Sequence, residues 1–232
     1  MSGKISTIAF DADDTLWQNE QFFKLTQARF AALLAEFADP DHLTERLMAA
    51  ERRNLGQYGF GIKGFVLSMI ETAIEVTDQK VPARVIAELI SAGQEMLAHP
   101  IELLPEVERT IVSLASDHHI MMITKGDLLD QERKLAQSGL GELFASVEIV
   151  SDKTPAVYGR IFAQCAGGAE AAMMVGNSVK SDVIPALSIG AWGVHVPHHL
   201  TWAYEHAEAP ISQARYREIA SLGDLPELID GL

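Results

Sequence analysis

The sequence predicts an α/β protein: a Rossmann-like, doubly wound parallel sheet interrupted by an inserted helical domain. Three observations carry this. Short apolar runs alternate with helical patterns along most of the chain, which implies parallel strands joined by helices. About 80 residues of purely helical periodicity separate the first apolar run from all the others. An acidic cluster follows that first run at once, at the carboxyl edge where open parallel sheets bind ligands. The expected organisation is a core from residues 1–16 and 100–232, with a helical cap from residues 17–99.

Each element has its own warrant. Residues 5–10 are short, apolar and bounded by turn-prone residues, which reads as a buried strand. From residue 17 onward, Phe22, Phe23, Leu25, Ala28, Phe30, Leu33, Leu34 and Phe37 recur at helical spacing. Asp39-Pro40-Asp41 breaks that stretch, and helical patterns resume around residues 43–55, 65–76 and 84–97. The linkers are residues 56–61 and 78–82, rich in turn formers. After Pro100 the alternation begins. Pro105 opens a helix to Ala115, residues 119–123 form a strand, and residues 128–138 a helix stopped by Gly139. Residues 146–150 are a strand, and Pro155 starts a helix with Asp152 or Thr154 as its N-cap. Residues 171–175 and 193–196 are strands around a helix at residues 181–188 that ends near Gly190.

Composition narrows the function classes. The 232 residues are 48% hydrophobic and 22% charged, ordinary for a globular chain able to bury a real core. Eighteen Lys and Arg face 32 Asp and Glu, a formal net charge of −14. Such a surface repels nucleic-acid backbones and anionic membranes, so neither is expected as a partner. No apolar run approaches the roughly 20 residues of a membrane span. The opening MSGKISTIAF lacks a long apolar signal region. A single cysteine, Cys165, excludes an internal disulfide and fits a reducing compartment. A cytoplasmic protein is expected.

Four strand ends would converge on one sheet edge. The first offers Asp11, Asp13 and Thr15; the second Thr124, Lys125, Gly126 and Asp127. The third offers Ser151, Asp152 and Lys153; the fourth Gly176, Asn177, Ser178 and Asp182. Carboxylates, hydroxyls, an amide and an ammonium together suit an anion held beside a divalent metal. Carboxylates are hard oxygen ligands, and magnesium is the usual choice beside phosphate.

With those residues in place, the sequence resembles the haloacid dehalogenase (HAD) superfamily of phosphohydrolases. The first motif, D-x-D-x-T after an apolar strand, matches Asp11-Ala12-Asp13-Asp14-Thr15. A Thr or Ser ending a strand matches Thr124, and a Lys before the next helix matches Lys153. The fourth motif matches Gly176 to Asp182, with Asn177 where the pattern usually has an acid. The helical insert resembles the family's C1-type cap. The resemblance implies an Asp11 nucleophile that forms an aspartyl-phosphate. It implies that Asp13 protonates the leaving oxygen and then activates water. It further implies phosphate contacts from Thr124, Lys125 and Lys153, and Mg2+ held by Asp11, the Asp13 carbonyl, Asp182 and Asn177.

The function expected from this is a magnesium-dependent phosphomonoester hydrolase acting on a small phosphorylated metabolite. A 2-haloacid dehalogenase shares the nucleophile and a helical cap, but halide leaves without a proton, so Asp13 argues against it. A phosphomutase uses the same two aspartates. A phosphonatase would need a Schiff-base lysine in the cap, with Lys24 and Lys63 the only candidates. A binding module of the same fold would tolerate loss of Asp11 or Asp13, and both are present.

Other features read as ordinary. His118-His119 and His198-His199 are expected at surface or edge positions, because neighbours on a strand point to opposite faces. Cys165 is expected in an apolar helix, and Trp192 and Trp202 as packing near the last strand. The segment from Tyr58 to Gly64 is expected as an irregular cap loop, whose glycines permit unusual backbone shapes. Tyr58 and Lys63 there are candidates to contact the remainder of a substrate.

Overall fold

A computed structural model describes residues 4–232. The chain divides into two units. One is made of the chain up to Glu20 with Ile101–Lys125 and Gln131–Leu232; the other is Gln21–Pro100 with Gly126–Asp130.

The first unit is built on six parallel strands among the described residues: β1 (Thr7–Phe10), β2 (His119–Lys125), β3 (Ser146–Val150), β4 (Ala172–Gly176), β5 (Trp192–His195) and β6 (Tyr216–Glu218). Their order is β3-β2-β1-β4-β5-β6. The strand order reverses beside β1, and sites of doubly wound sheets form at that switch point. Phe10 lies opposite Met122 on one side and Val175 on the other. The Asp11 amide continues the ladder by donating to the Val175 carbonyl at 2.9 Å. Strands β1 and β4 end within a residue of each other, while β2 runs on beside β3 to Lys125, so their carboxyl ends lie along one edge.

Alternation along the central strands β1 and β4 supplies two buried faces, as a sheet covered by helices on both sides requires. The second unit holds α1 (Glu20–Leu33), α2 (Pro40–Tyr58), α3 (Ile62–Val76) and α4 (Ala83–Ala98). The sheet is flanked by α5 (Val107–Leu114), α6 (Leu128–Ser138), α7 (Pro155–Phe162), α8 (Ile184–Ser188) and α9 (Leu225–Asp230). Ile8, Phe10, Ile120, Met122 and Val175 pack against Val107 and Ile111 of α5 and Leu225 of α9. Ala9, Met121, Ile123 and Met174 pack against Tyr158, Ile161 and Phe162 of α7. Truncating a fully buried Phe10 to Ala would cost about 3–5 kcal/mol.

The second unit has its own core of Phe30, Leu34, Leu43, Leu47, Phe65, Met69 and Leu89. Asp39 caps α2 by accepting from the His42 amide, and Pro40 fills the first helical position. The proline that breaks α1's pattern therefore starts the next helix. Asn54 is buried between α2 and α3 and donates to Ser68 Oγ at 3.1 Å and to Glu71 at 2.9 Å. No helix among the described residues is long and apolar enough to cross a membrane.

Several expectations need correction. The irregular segment at residues 58–64 shrinks to Gly59–Gly61, because α2 extends through Tyr58 and α3 starts at Ile62. Gly59 and Gly61 both have positive φ, which concentrates the whole reversal in that short link. Tyr58 and Lys63 are thus helical residues. Cys165 lies past the end of α7, in a turn where its amide donates to Phe162 O. The left-handed Gly167 and Gly168 that follow exclude a longer helix. Strand β6 and helix α9 carry no strong pattern and were not expected.

Candidate active site

Asp11 follows β1 directly and is buried. Its Oδ1 accepts from Lys153 Nζ at 2.5 Å and its Oδ2 from Thr15 Oγ1 at 3.0 Å. Lys153 stands between β3 and α7, and Thr154 rather than Asp152 caps α7 by accepting from the Val157 amide. Lys153 Nζ also donates to Asp182 Oδ1 at 2.6 Å, so one buried ammonium joins two carboxylates. Burial alone would lower the lysine's pKa, but the charges of Asp11 and Asp182 outweigh it and raise the value. Burial pushes Asp11 up to about 7, with the Asp182 charge adding to it and Lys153 opposing. Removing Lys153 would leave two buried carboxylates facing each other, a loss of about 3–5 kcal/mol.

Asp182 owes its place to Gly176. A Cβ on Gly176 would lie 2.3 Å from Asp182 Oδ2, so any side chain at the end of β4 would evict the carboxylate. The chain then makes a wide π-turn at Val179–Val183 before α8. Ser178 organises it: its hydroxyl accepts from the Ser181 amide and its own amide donates to Asp182 Oδ2 at 2.9 Å. Such widened turns recur at functional sites.

Thr15 couples the first and fourth motifs. Its hydroxyl accepts from the Asn177 amide at 3.0 Å while donating to Asp11. The Asn177 side-chain oxygen lies 3.3 Å from the same hydroxyl. Thr124 is buried, and its Oγ1 accepts from Gln131 Nε2 at 2.6 Å, which leaves its hydroxyl proton to donate.

Asp13 has partners that the sequence reading missed. Trp17 Nε1 donates to Oδ1 at 2.7 Å, Lys134 Nζ to Oδ1 at 2.9 Å, and Gln131 Nε2 to Oδ2 at 3.2 Å. Lys134 is itself buried and also donates to Asn19 at 2.9 Å. Gln131 and Lys134 are three residues apart on α6, which puts them on one face. That spacing was the available signal, but a polar helical pair usually faces solvent.

Asp14 plays a structural part. It adopts a left-handed backbone, tolerable for aspartate, and its carboxylate accepts from the amides of Asn19 and Glu20 at the start of α1. Burial lifts its pKa to about 7, opposed by those backbone bonds. His198 Nδ1 lies 3.7 Å away. The imidazole side chain is 7% exposed, which corrects its expected surface position, and burial lowers its pKa. The turn in which His198 Nδ1 meets Leu200 folds the ring inward.

Tyr58 and Lys63 make their contacts within the helical unit. Tyr58 donates to Glu71 at 2.7 Å, and Lys63 pairs with Asp127 at 2.9 Å. The hydrogen bond from Lys63 holds the Asp127 carboxyl below its ordinary range.

The candidate metal ligands from the sequence are the Asp11 and Asp182 carboxylates, which share Lys153, the Asn177 amide oxygen, which lies against Thr15, and the Asp13 main-chain carbonyl. All are hard oxygens, and their chemistry fits a hard divalent cation. They do not form a pre-assembled cluster: among the described residues, no three His, Cys, Asp or Glu side chains gather as a cation site.

A parallel sheet with an aspartate nucleophile candidate at its central strand end, fixed by a lysine from a neighbouring loop and a threonine of its own loop, defines a class of α/β hydrolytic enzymes. The family model of haloacid dehalogenase-like hydrolases matches residues 5–190, and the chain belongs to that family. A haloacid dehalogenase-like family hydrolase from Xanthomonas campestris is 37% identical, with 98% of this chain and 96% of that one covered and a TM-score of 0.88. A 2-haloacid dehalogenase from Pseudomonas syringae pv. Tomato is 21% identical, covering 98% and 99%, with a TM-score of 0.61. A HAD phosphatase from Thermococcus onnurineus is 20% identical, covering 97% and 98%, also at 0.61. The last two show the fold alone. No curated protein matches the chain. Magnesium is a common cofactor of the family.

Proposed function

We propose that the chain is a magnesium-dependent phosphomonoester hydrolase that acts on a small phosphorylated metabolite. The observation that supports this over dehalogenation is Asp13, an acid two residues beyond the nucleophile with three side-chain donors of its own. A departing halide would need no proton from it.

In this reading an Asp11 oxygen attacks phosphorus and the ester P–O bond breaks. Asp13 gives the leaving oxygen its proton, so that an alcohol departs. In the second half Asp13 takes a proton from water, the water oxygen attacks phosphorus, and the P–O bond to Asp11 breaks. Inorganic phosphate leaves and Asp11 is restored. Thr124 donates its free hydroxyl proton to a phosphoryl oxygen, and Lys153 offsets charge on nucleophile and phosphate. Asp11, the Asp13 carbonyl, Asp182 and Asn177 would hold Mg2+, which when bound supplies positive charge for the phosphoryl oxygens. The reaction is chiefly positioning and charge neutralisation, which these residues can provide.

The deciding experiment measures phosphate release from a panel of phosphomonoesters with and without magnesium, beside halide release from a 2-haloacid. Phosphate release that needs magnesium and vanishes in Asp11→Asn is expected. Halide release with no phosphate release would replace this reading by dehalogenation.

A further inference from the structure

Glu205 ends a short 3-10 turn, Ala203–Glu205, in the excursion between β5 and β6. It lies beyond residue 190, where the family match ends, and belongs to none of the four motifs. Its side chain is nevertheless only 11% exposed. Oε1 accepts from Lys125 Nζ at 2.5 Å, while Oε2 accepts from Ser178 Oγ at 2.6 Å and Ser181 Oγ at 2.5 Å. Lys125 Nζ closes the ring by donating to Ser181 Oγ at 2.8 Å. The end of β2 is thereby tied to the turn that carries Asp182.

Two further features place this carboxylate in the electrostatic surroundings of the nucleophile. Ser178 holds Glu205 with its hydroxyl and Asp182 with its amide. Tyr158, whose hydroxyl donates to Ser181 O at 3.1 Å, has its pKa raised by burial and then by the charges of Asp182, Asp11 and Glu205 together. Burial would raise the Glu205 carboxyl too, but Lys125 and the two serine hydroxyls outweigh it and lower the value. Glu205 is therefore a standing negative charge at neutral pH.

We propose that Glu205 is a positioning residue that neutralises Lys125 and so limits how tightly the site holds inorganic phosphate. This rests on the phosphomonoesterase reading. Lys125 follows Thr124 at the strand end and was expected among the phosphate ligands. An uncompensated ammonium there would grip the product dianion as firmly as the transition state, and such uniform binding adds nothing to kcat. Paired with Glu205, Lys125 keeps the turn in place while its charge is cancelled.

The probe is orthophosphate, titrated calorimetrically in the presence of magnesium into the full chain. Glu205→Gln removes the charge and keeps the side chain's size, with an amide NH2 in place of one accepting oxygen. It should bind orthophosphate about tenfold more tightly, with KM and kcat for a phosphomonoester both lowered as release slows. Glu205→Asp keeps the charge and should stay within about threefold of wild type. A purely structural role would weaken phosphate binding in Glu205→Gln. Unchanged or weaker binding by a folded Glu205→Gln overturns the proposal. Should that variant not fold, the double variant Glu205→Gln with Lys125→Met, which replaces an ion pair by a neutral one, carries the test. It should bind orthophosphate within about threefold of wild type, and a tenfold loss overturns the proposal. A wild-type protein that neither binds orthophosphate nor hydrolyses any phosphomonoester overturns the functional reading and this inference with it. A wild type that binds and hydrolyses, beside an indifferent Glu205→Gln, overturns only the inference.

Discussion

Lys134 Nζ donates to Asp13 Oδ1 at 2.9 Å, a buried ammonium held against the acid two residues after Asp11, the proposed nucleophile. The second bond of Lys134, to Asn19, fixes the ammonium from the other side. Asp13 is thus aimed by its neighbours rather than free to rotate. Lys134→Met keeps the length of the side chain and removes the charge. It should lower kcat by about ten- to a hundredfold with little change in KM, the size of one lost charge-assisted hydrogen bond. Lys134→Arg should recover part of the loss. Steady-state kinetics on both variants checks this, and an unchanged kcat in Lys134→Met would mean that the contact does not serve the reaction.

Asp13→Asn tests the proton-delivery role itself. The amide oxygen can still accept from Trp17 and Lys134, and the only bond lost is the one from Gln131. General acid catalysis contributes about 10²–10⁴-fold where the leaving group needs a proton. The variant should therefore be far more impaired on an alkyl phosphate than on an activated aryl phosphate. Equal losses on the two substrates would remove Asp13 from the bond-breaking step.

Much of this was legible in the sequence, for identifiable reasons. Strand β3 at Ser146–Val150 and helix α6 at Leu128–Ser138 have the expected limits, because turn formers bracket both. Asp11, Thr15, Thr124, Lys153, Asn177 and Asp182 could be grouped from the sequence because each stands at or beyond the carboxyl end of a strand, and parallel strands bring those ends together. Trp17, Gln131, Lys134 and Glu205 escaped because their roles depend on which way a helix face or an irregular excursion turns, and local pattern does not encode that. Strand β6 has three residues and no alternation to read. The glycines around Lys63 suggest a loop cation, yet it stands in α3 with Asp127 as its partner. A pair so exposed contributes less than about 1 kcal/mol to stability.

Asn177 stands where related motifs usually have an acid. Its amide and side-chain oxygen both lie against the Thr15 hydroxyl, which itself donates to Asp11. With Asp11 and Asp182 as the only carboxylates of the proposed ligand set, their charge just balances a divalent ion. Asn177→Asp would add a third negative charge without changing the side chain's size. Half-saturating magnesium should fall about three- to tenfold, and KM for a phosphomonoester should rise through repulsion of the dianion. Titrating activity against magnesium in both proteins checks this. An unchanged magnesium requirement would place Asn177 outside the ligand set.

Asp14 makes the stability of the fold depend on pH in a direction opposite to that of a salt-bridged acid. Its pKa rises from 3.8 to about 7 on folding, mainly through burial. Between about pH 4 and 7 the native state therefore binds a proton that the unfolded state has lost, and stability falls as pH rises across that window. The contribution is fully present below the unfolded value and gone above the folded one, and amounts to at most about 4 kcal/mol. Asp14→Asn replaces the acid with a group that cannot ionise. The amide oxygen can still accept from the amides of Asn19 and Glu20, at a cost of about 1 kcal/mol in capping. At pH 5 the variant should match wild type or fall slightly below it. At pH 8 the wild type carries a buried carboxylate, and the variant should be more stable by about 1–3 kcal/mol. Urea unfolding of both proteins at the two pH values, with magnesium chelated, gives the four free energies required. A variant that is less stable by the same amount at both pH values would show that Asp14 acts only as a cap and that its ionisation does not oppose folding.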